Sequence, residues 1–137
     1  MNKPSTNLAR VAERDPARAA DEAQPRGRRA ARLRLAKAYV LLHLAESGLN
    51  ADKVARHLSI SGRTVQMLFE AEGTTFSAYV LEQRLLETLR RLRDPRLDTE
   101  AISQIAYAAG FVDLSHFNRC FRMRFGNTPS GVRNNLS

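Results

Sequence analysis

Two stretches of this chain, Leu49–Gly73 and Leu97–Gly126, carry one pattern: a short helix, a tight turn and a second amphipathic helix ending in glycine. Val54-Ala55 is echoed by Ile105-Ala106, Ile60 by Phe111, Val65 by Phe117, Phe69 by Phe121 and Gly73 by Gly126. The offset drifts from 51 to 53 residues, as in a diverged duplication with small insertions rather than a solenoid. The pattern predicts two helix-turn-helix units. On a basic chain, such a pair suits two successive stretches of DNA groove.

Local chemistry places the elements. Leu33, Leu35, Ala36, Val40, Leu41 and Ala45 recur at helical spacing, and Gly48 is expected to close that helix. Asn50 and Ser61 are N-caps in the first unit, with Leu49/Val54 and Ile60/Val65 as hydrophobic staples. Val65, Leu68 and Phe69 form the buried stripe of its second helix. A long linker helix over 75–93 follows, striped by Phe76, Tyr79, Val80, Leu85, Leu86, Leu89 and Leu92, and it stops at Asp94-Pro95. In the second unit Asp98 is expected to cap a helix stapled by Leu97 and Ile102, with Glu100 at its positive end. Asp113 caps the next helix, stapled by Val112 and Phe117, and Gly110 occupies the turn. A last helix starts near Thr128-Pro129. No stretch alternates with period two, so the expected fold is all-α, with two helix-turn-helix subdomains (49–73 and 97–126) joined by the long central helix.

The chain has 137 residues, enough for one ordinary domain or two very small ones, and 43% are hydrophobic, enough for a core. No apolar run reaches the ~18 residues of a membrane span. With no signal-type segment and a single cysteine, Cys120, a cytoplasmic setting is expected. Cys120 beside Phe121 in a helical stretch reads as a buried structural thiol rather than a reactive one. Net charge is +8, concentrated toward the N-terminus, where residues 1–34 hold nine Lys/Arg against four Asp/Glu. Residues 1–29 lack aromatics and read as a flexible or partly helical basic arm or linker, with transient helix over Ala9–Ala23 that Pro25 and Gly27 break before folded structure begins near Ala30. Such an excess suits a polyanion, although a basic tail also serves solubility alone.

In a helix-turn-helix the second helix offers its early turns to base edges. With Val65, Leu68 and Phe69 inward, Arg63, Gln66, Met67 and Glu70 face out; with Phe117 and Phe121 inward, Ser115, Asn118, Arg119 and Arg122 face out, with His116 beside them. Arg matches guanine O6/N7 and Gln or Asn matches adenine N6/N7, each good pair contributing about 1–3 kcal/mol of discrimination. Met67 suits a thymine methyl. Arg84, Arg90, Arg91, Arg93, Arg122, Arg124 and Arg133 are candidates for phosphate, which positions without reading sequence. A polar helix face is more often plain solvated surface; the duplicated caps and core spacing favour a DNA role. His43, His57 and His116 lack ligand spacing and no Cys pair exists, so neither metal nor cofactor is expected. No phosphate-binding glycine loop or nucleophile–base constellation is present, and an enzyme is not expected.

The run Ile105-Ala106-Tyr107-Ala108-Ala109-Gly110-Phe111, then Asp113-Leu114-Ser115-His116-Phe117-Asn118-Arg119-Cys120-Phe121 and Phe125-Gly126-Asn127-Thr128-Pro129, closely resembles the signature of AraC/XylS-type transcription regulators. The first unit is similar through Val54-Ala55-Arg56-His57-Leu58, Ser61-Gly62-Arg63-Thr64, Leu68-Phe69 and Gly73-Thr74-Thr75-Phe76-Ser77. The resemblance implies a DNA-binding domain of about seven helices over 30–137. Its base-reading positions would be Arg63, Thr64, Gln66 and Met67 in the first unit and Ser115, His116, Asn118 and Arg119 in the second. It further implies promoter DNA as partner, transcription activation, and RNA polymerase as a second partner. Three departures stand out. Met67 replaces a frequent Arg or Lys, Val132 replaces an aromatic before Arg133, and the arm is too short for the usual effector and dimerisation domain. The chain is thus expected to be either a stand-alone domain or, as the linker-like arm favours, a fragment of a longer protein. It would be monomeric as an isolated domain and dimeric if such a domain precedes it. The competing reading is a truncated or stand-alone module that occupies sites without activating.

Overall fold

The structure is a computed structural model and describes residues 16–135. Those residues form seven α-helices and no strand: α1 (Pro16–Leu42), α2 (Ala51–Leu58), α3 (Gly62–Glu70), α4 (Phe76–Leu92), α5 (Ile102–Ala108), α6 (Leu114–Phe125) and α7 (Pro129–Asn134), with a 3-10 turn at Pro95–Leu97.

Two cores form, one per unit, and α4 belongs to both. Its first half contributes Phe76 and Val80 to a cluster with Ala36, Val40, Val54, Val65 and Phe69. Its second half contributes Leu85 and Leu92 to a cluster with Ile105, Ala106, Phe111, Phe117 and Phe121. At ~1.5 Å per residue its 17 residues make a rod of roughly 25 Å. Thr75 caps the rod by accepting from the Ala78 N–H, and it ends at Arg93, just before Pro95.

The duplication persists in backbone detail. In the first turn the Ser59 N–H donates to the Arg56 carbonyl and the Ile60 N–H to the Ala55 carbonyl. Residues 51 positions later repeat this, with Gly110 N–H to Tyr107 and Phe111 N–H to Ala106. Both pivots have positive φ, +58° at Ser59 and +105° at Gly110. A residue with a Cβ loses about 1–2 kcal/mol in that region, more than glycine's ~0.5–1 kcal/mol entropic cost. Ser59→Gly is therefore expected to raise stability by up to about 1 kcal/mol in urea melts.

Arg84 ties the units together. From α4 its Nε donates to the Leu44 carbonyl at 3.0 Å and its Nη2 to the Glu46 carbonyl at 2.8 Å. A Cβ on Gly110 would lie 2.4 Å from that same Leu44 oxygen and 2.6 Å from Arg84 Nε. The α1–α2 loop, Arg84 and the turn of the second unit thus meet at one point, which sets how the units sit about α4.

Several expectations are corrected. The arm expected over 1–29 is helical from Pro16 onward, and α1 passes through Pro25 and Gly27; residues 1–15 lie outside the described residues. Once Ala36 and Val40 anchor a helix it propagates without a new nucleation step; Pro25 keeps a helical φ but donates no backbone hydrogen bond, so its neighbours in α1 carry the helix past it. At its other end α1 stops at Leu42 and turns follow, so Gly48 is not its terminus. Leu35 and Leu41 are more than half exposed and do not belong to its buried stripe.

Asp98 does not cap a helix. Asp94 accepts from the Arg96 N–H and opens the 3-10 turn, and α5 begins at Ile102 after Ala101, which offers no side-chain cap. The proline-led turn consumes the residues that the capping pattern assigned to a helix start. Val112 is 74% exposed, so it does not staple the buried Phe117. Val132, smaller than the aromatic it replaces, still packs against the second core.

Candidate nucleic-acid interface

Helix α3 is held by its cap and its stripe. Ser61 Oγ accepts the Thr64 N–H at 3.0 Å and shares a 2.8 Å hydrogen bond with the Thr64 hydroxyl. Val65 and Phe69 are fully buried and Leu68 nearly so, which turns Arg63 and Met67 to solvent and leaves Gln66 half-exposed. Thr64 is half-buried with its hydroxyl engaged at the cap, so it is less free for base contact than its neighbours. Glu70 is exposed at the end of the helix.

Helix α6 follows the same plan. Asp113 accepts from the Ser115 N–H at 2.9 Å and the His116 N–H at 3.2 Å. Fully buried Phe117 and Phe121 leave Ser115, His116, Asn118, Arg119 and Arg122 exposed. Asp113→Ala removes the single carboxylate oxygen, Oδ1, that accepts both bonds and is expected to cost about 0.5–2 kcal/mol, read as a lower urea midpoint. Cys120 is half-buried against the second core, its Sγ 3.6 Å from His116 Nδ1.

Gln66 of α3 and His116 of α6 line one open cleft of about 560 Å³, together with Asn50, Ser77, Arg84 and Asp113. One base-reading candidate of each unit therefore borders this cleft, whereas Thr64 and Met67 border one separate groove and Arg119 another. No group of three or more metal-ligating side chains occurs among the described residues, nor does any helix among them suit a membrane span.

The phosphate candidates divide sharply. Arg90 binds Glu87 through two nitrogens, at 3.0 and 2.8 Å, and Arg91 adds a third bond at 2.8 Å. The Arg90 hydrogen bond foremost, then that of Arg91, holds the Glu87 carboxyl below its usual pKa against the opposing effect of burial. Arg124 clamps Glu82 of α4 from α6, at 2.8 Å through both Nε and Nη2, and lies over the Phe125 ring. Arg133 donates to the Leu97 carbonyl at 3.3 Å, and its Nε is buried. Arg84 is committed to the α1–α2 loop, where burial lowers its pKa. Only Arg93 and Arg122 of the seven are exposed with no ion pair among the described residues. Arg28, Arg29 and Arg32 of α1, which the sequence reading left in or beside the arm, border α3 in a separate groove with Thr64 and Met67.

A family model described as a helix-turn-helix domain matches residues 54–135. The transcriptional activator RhrA of Rhizobium meliloti (strain 1021) is 45% identical over 91 residues, covering 66% of this chain and 29% of that protein. The transcriptional activator RhaS of Escherichia coli O139:H28 (strain E24377A / ETEC) is 34% identical over 105 residues, covering 76% of this chain and 36% of that protein. The chain thus spans little more than a third of the length of these curated relatives, or less. Among solved structures, a Chromobacterium violaceum transcriptional regulator with an AraC-type DNA-binding domain superposes with a TM-score of 0.70 at 30% identity. That alignment covers 77% of this chain and 92% of the other. The C-terminal domain of the response regulator AraT from Geobacillus stearothermophilus gives 0.67 at 25% identity, covering 76% and 84%. The duplicated caps, the two cores and these matches agree, and the chain belongs to the AraC-type helix-turn-helix family of DNA-binding domains.

Proposed function

We propose that this chain reads double-stranded promoter DNA at two successive major-groove segments and acts as a transcription activator in the cytoplasm. Arg63, Gln66 and Met67 read one segment; Ser115, His116, Asn118 and Arg119 read the other. Arg93 and Arg122 grip phosphate. As an isolated unit the chain binds as a monomer, and RNA polymerase is its protein partner at the promoter. The observation that carries this reading is the shared cleft, which opens Gln66 and His116 to the same side of one rod. The family to which the chain belongs is one of DNA-binding domains, which is not an enzyme class.

Arg63→Ala and Arg119→Ala are each expected to relax preference at one base pair by about 1–3 kcal/mol. Arg122→Ala should instead weaken all sequences alike and lower the salt slope by about one. Competition binding against single-position duplex variants checks both. Equal affinity for selected and scrambled duplexes in wild type and variants alike would defeat the reading.

A further inference from the structure

From Gln24 to its end at Leu42, α1 carries several arginines and no acidic residue. At about 100° per residue, Arg28, Arg29 and Arg32 share one side of the helix, while Arg34 faces nearly opposite. On the shared side, Pro25, Arg28, Arg29 and Arg32 form a groove of about 330 Å³ against Thr64 and Met67 of α3. None of these arginines has an ion pair among the residues with described side chains. Three guanidinium groups thus converge beside the helix whose exposed face carries Arg63 and Met67.

The groove lies on a particular flank of α3. Gln66 opens into the cleft shared with α6, whereas Thr64 and Met67 border α1. Around α3, Gln66 lies about 100° from Met67 and about 160° from Thr64, so α1 lines a different flank of α3 from the one that borders the shared cleft. A helix is ~10–12 Å across with its side chains, and the major groove is ~12 Å wide. A helix seated in that groove therefore has a phosphate strand along each flank.

We infer that Arg28, Arg29 and Arg32 form a phosphate-binding rail, which clasps the DNA strand bordering the first recognition segment on its outer side. This rests on the DNA-binding reading above and adds to it an element outside both helix-turn-helix units. The rail carries no sequence information. It extends the footprint outward and, at this flank, supplies the phosphate grip that Arg84, Arg90 and Arg91 cannot, each being committed within the fold.

The test compares two variants of equal charge, Arg28→Ala/Arg32→Ala and Arg26→Ala/Arg34→Ala, the second removing cations that do not line the groove. Alanine keeps the helix, and circular dichroism of each variant verifies it. The probe is a random-sequence duplex, because the phosphate contribution is present on any sequence. Anisotropy titrations between about 50 and 200 mM salt give the slope of log K against log salt. Each lost contact removes about 0.9 from that slope, hence about 1.8 for Arg28→Ala/Arg32→Ala, with binding weakened roughly tenfold or more at 0.1 M salt. Arg26→Ala/Arg34→Ala should stay near wild type. Equal losses in the two variants, or no loss in Arg28→Ala/Arg32→Ala while wild type binds, would overturn the rail and leave the DNA-binding reading standing. Intact duplex binding with weakened single-stranded RNA binding would assign the groove to RNA and equally overturn it. If folded wild type binds no duplex at any of these salt concentrations, the DNA-binding reading itself falls.

Discussion

Phe121→Ala is expected to destabilise the protein by about 3–5 kcal/mol, the range for emptying a buried phenylalanine site. The ring is fully buried in the second core, with centroids 5.6 Å from Phe117 and 4.7 Å from Phe125. Such a loss compares with the whole stability of a small domain, about 5–15 kcal/mol. The first unit has its own core around Phe69, so the variant should melt in two steps, with signals from α5–α7 lost first. Urea titration followed residue by residue by NMR separates the two. Met123→Ala, on the same helix but 88% exposed, should stay within about 0.5 kcal/mol of wild type. A Phe121→Ala loss below about 1 kcal/mol would mean that the second core is assigned wrongly.

Gly110→Ala carries the next largest effect, and it falls on the alignment of the two units. The added methyl would meet the Leu44 carbonyl at 2.4 Å on a residue already at φ +105°. Backbone strain of roughly 1–3 kcal/mol and a forced shift of similar size act together. A loss of about 2–5 kcal/mol is therefore expected. Because Leu44 and Arg84 bracket the first unit, the shift should also misplace α6 relative to α3. Duplexes carrying both recognition segments should lose more affinity than duplexes carrying one. Combining Gly110→Ala with Arg84→Ala relieves only the side-chain clash, so most of the stability loss should remain. Full rescue by the double variant would show that the carbonyl is not the obstacle.

What could be read from residues alone followed range. Caps and buried stripes act within one turn, so Asn50, Ser61, Asp113 and the pairs Val65/Phe69 and Phe117/Phe121 placed α2, α3 and α6 correctly. Asp98 failed because two local signals competed there, and the proline-led turn closed first. The arm failed because its helix is propagated from an anchor at Ala36 and Val40, not nucleated by its own residues. Glu87 stands three and four residues before Arg90 and Arg91, a spacing at which helical ion pairs form, and the reading of those arginines as phosphate candidates passed over that signal. Arg124–Glu82 and Arg84–Leu44 join residues 42 and 40 positions apart, a distance over which helical periodicity carries no information. The approach of Arg28 and Arg32 to Met67 is of the same tertiary kind.

The most direct test of the whole account is selection of binding sites from a random duplex pool by the intact chain. Two blocks of base preference about one helical turn apart, roughly 10 bp, are expected. Arg63→Ala should erase preference in one block and Arg119→Ala in the other. A single block, blocks at a spacing the rod cannot bridge, or no enrichment over the starting pool would contradict two recognition helices reading one duplex from the same side.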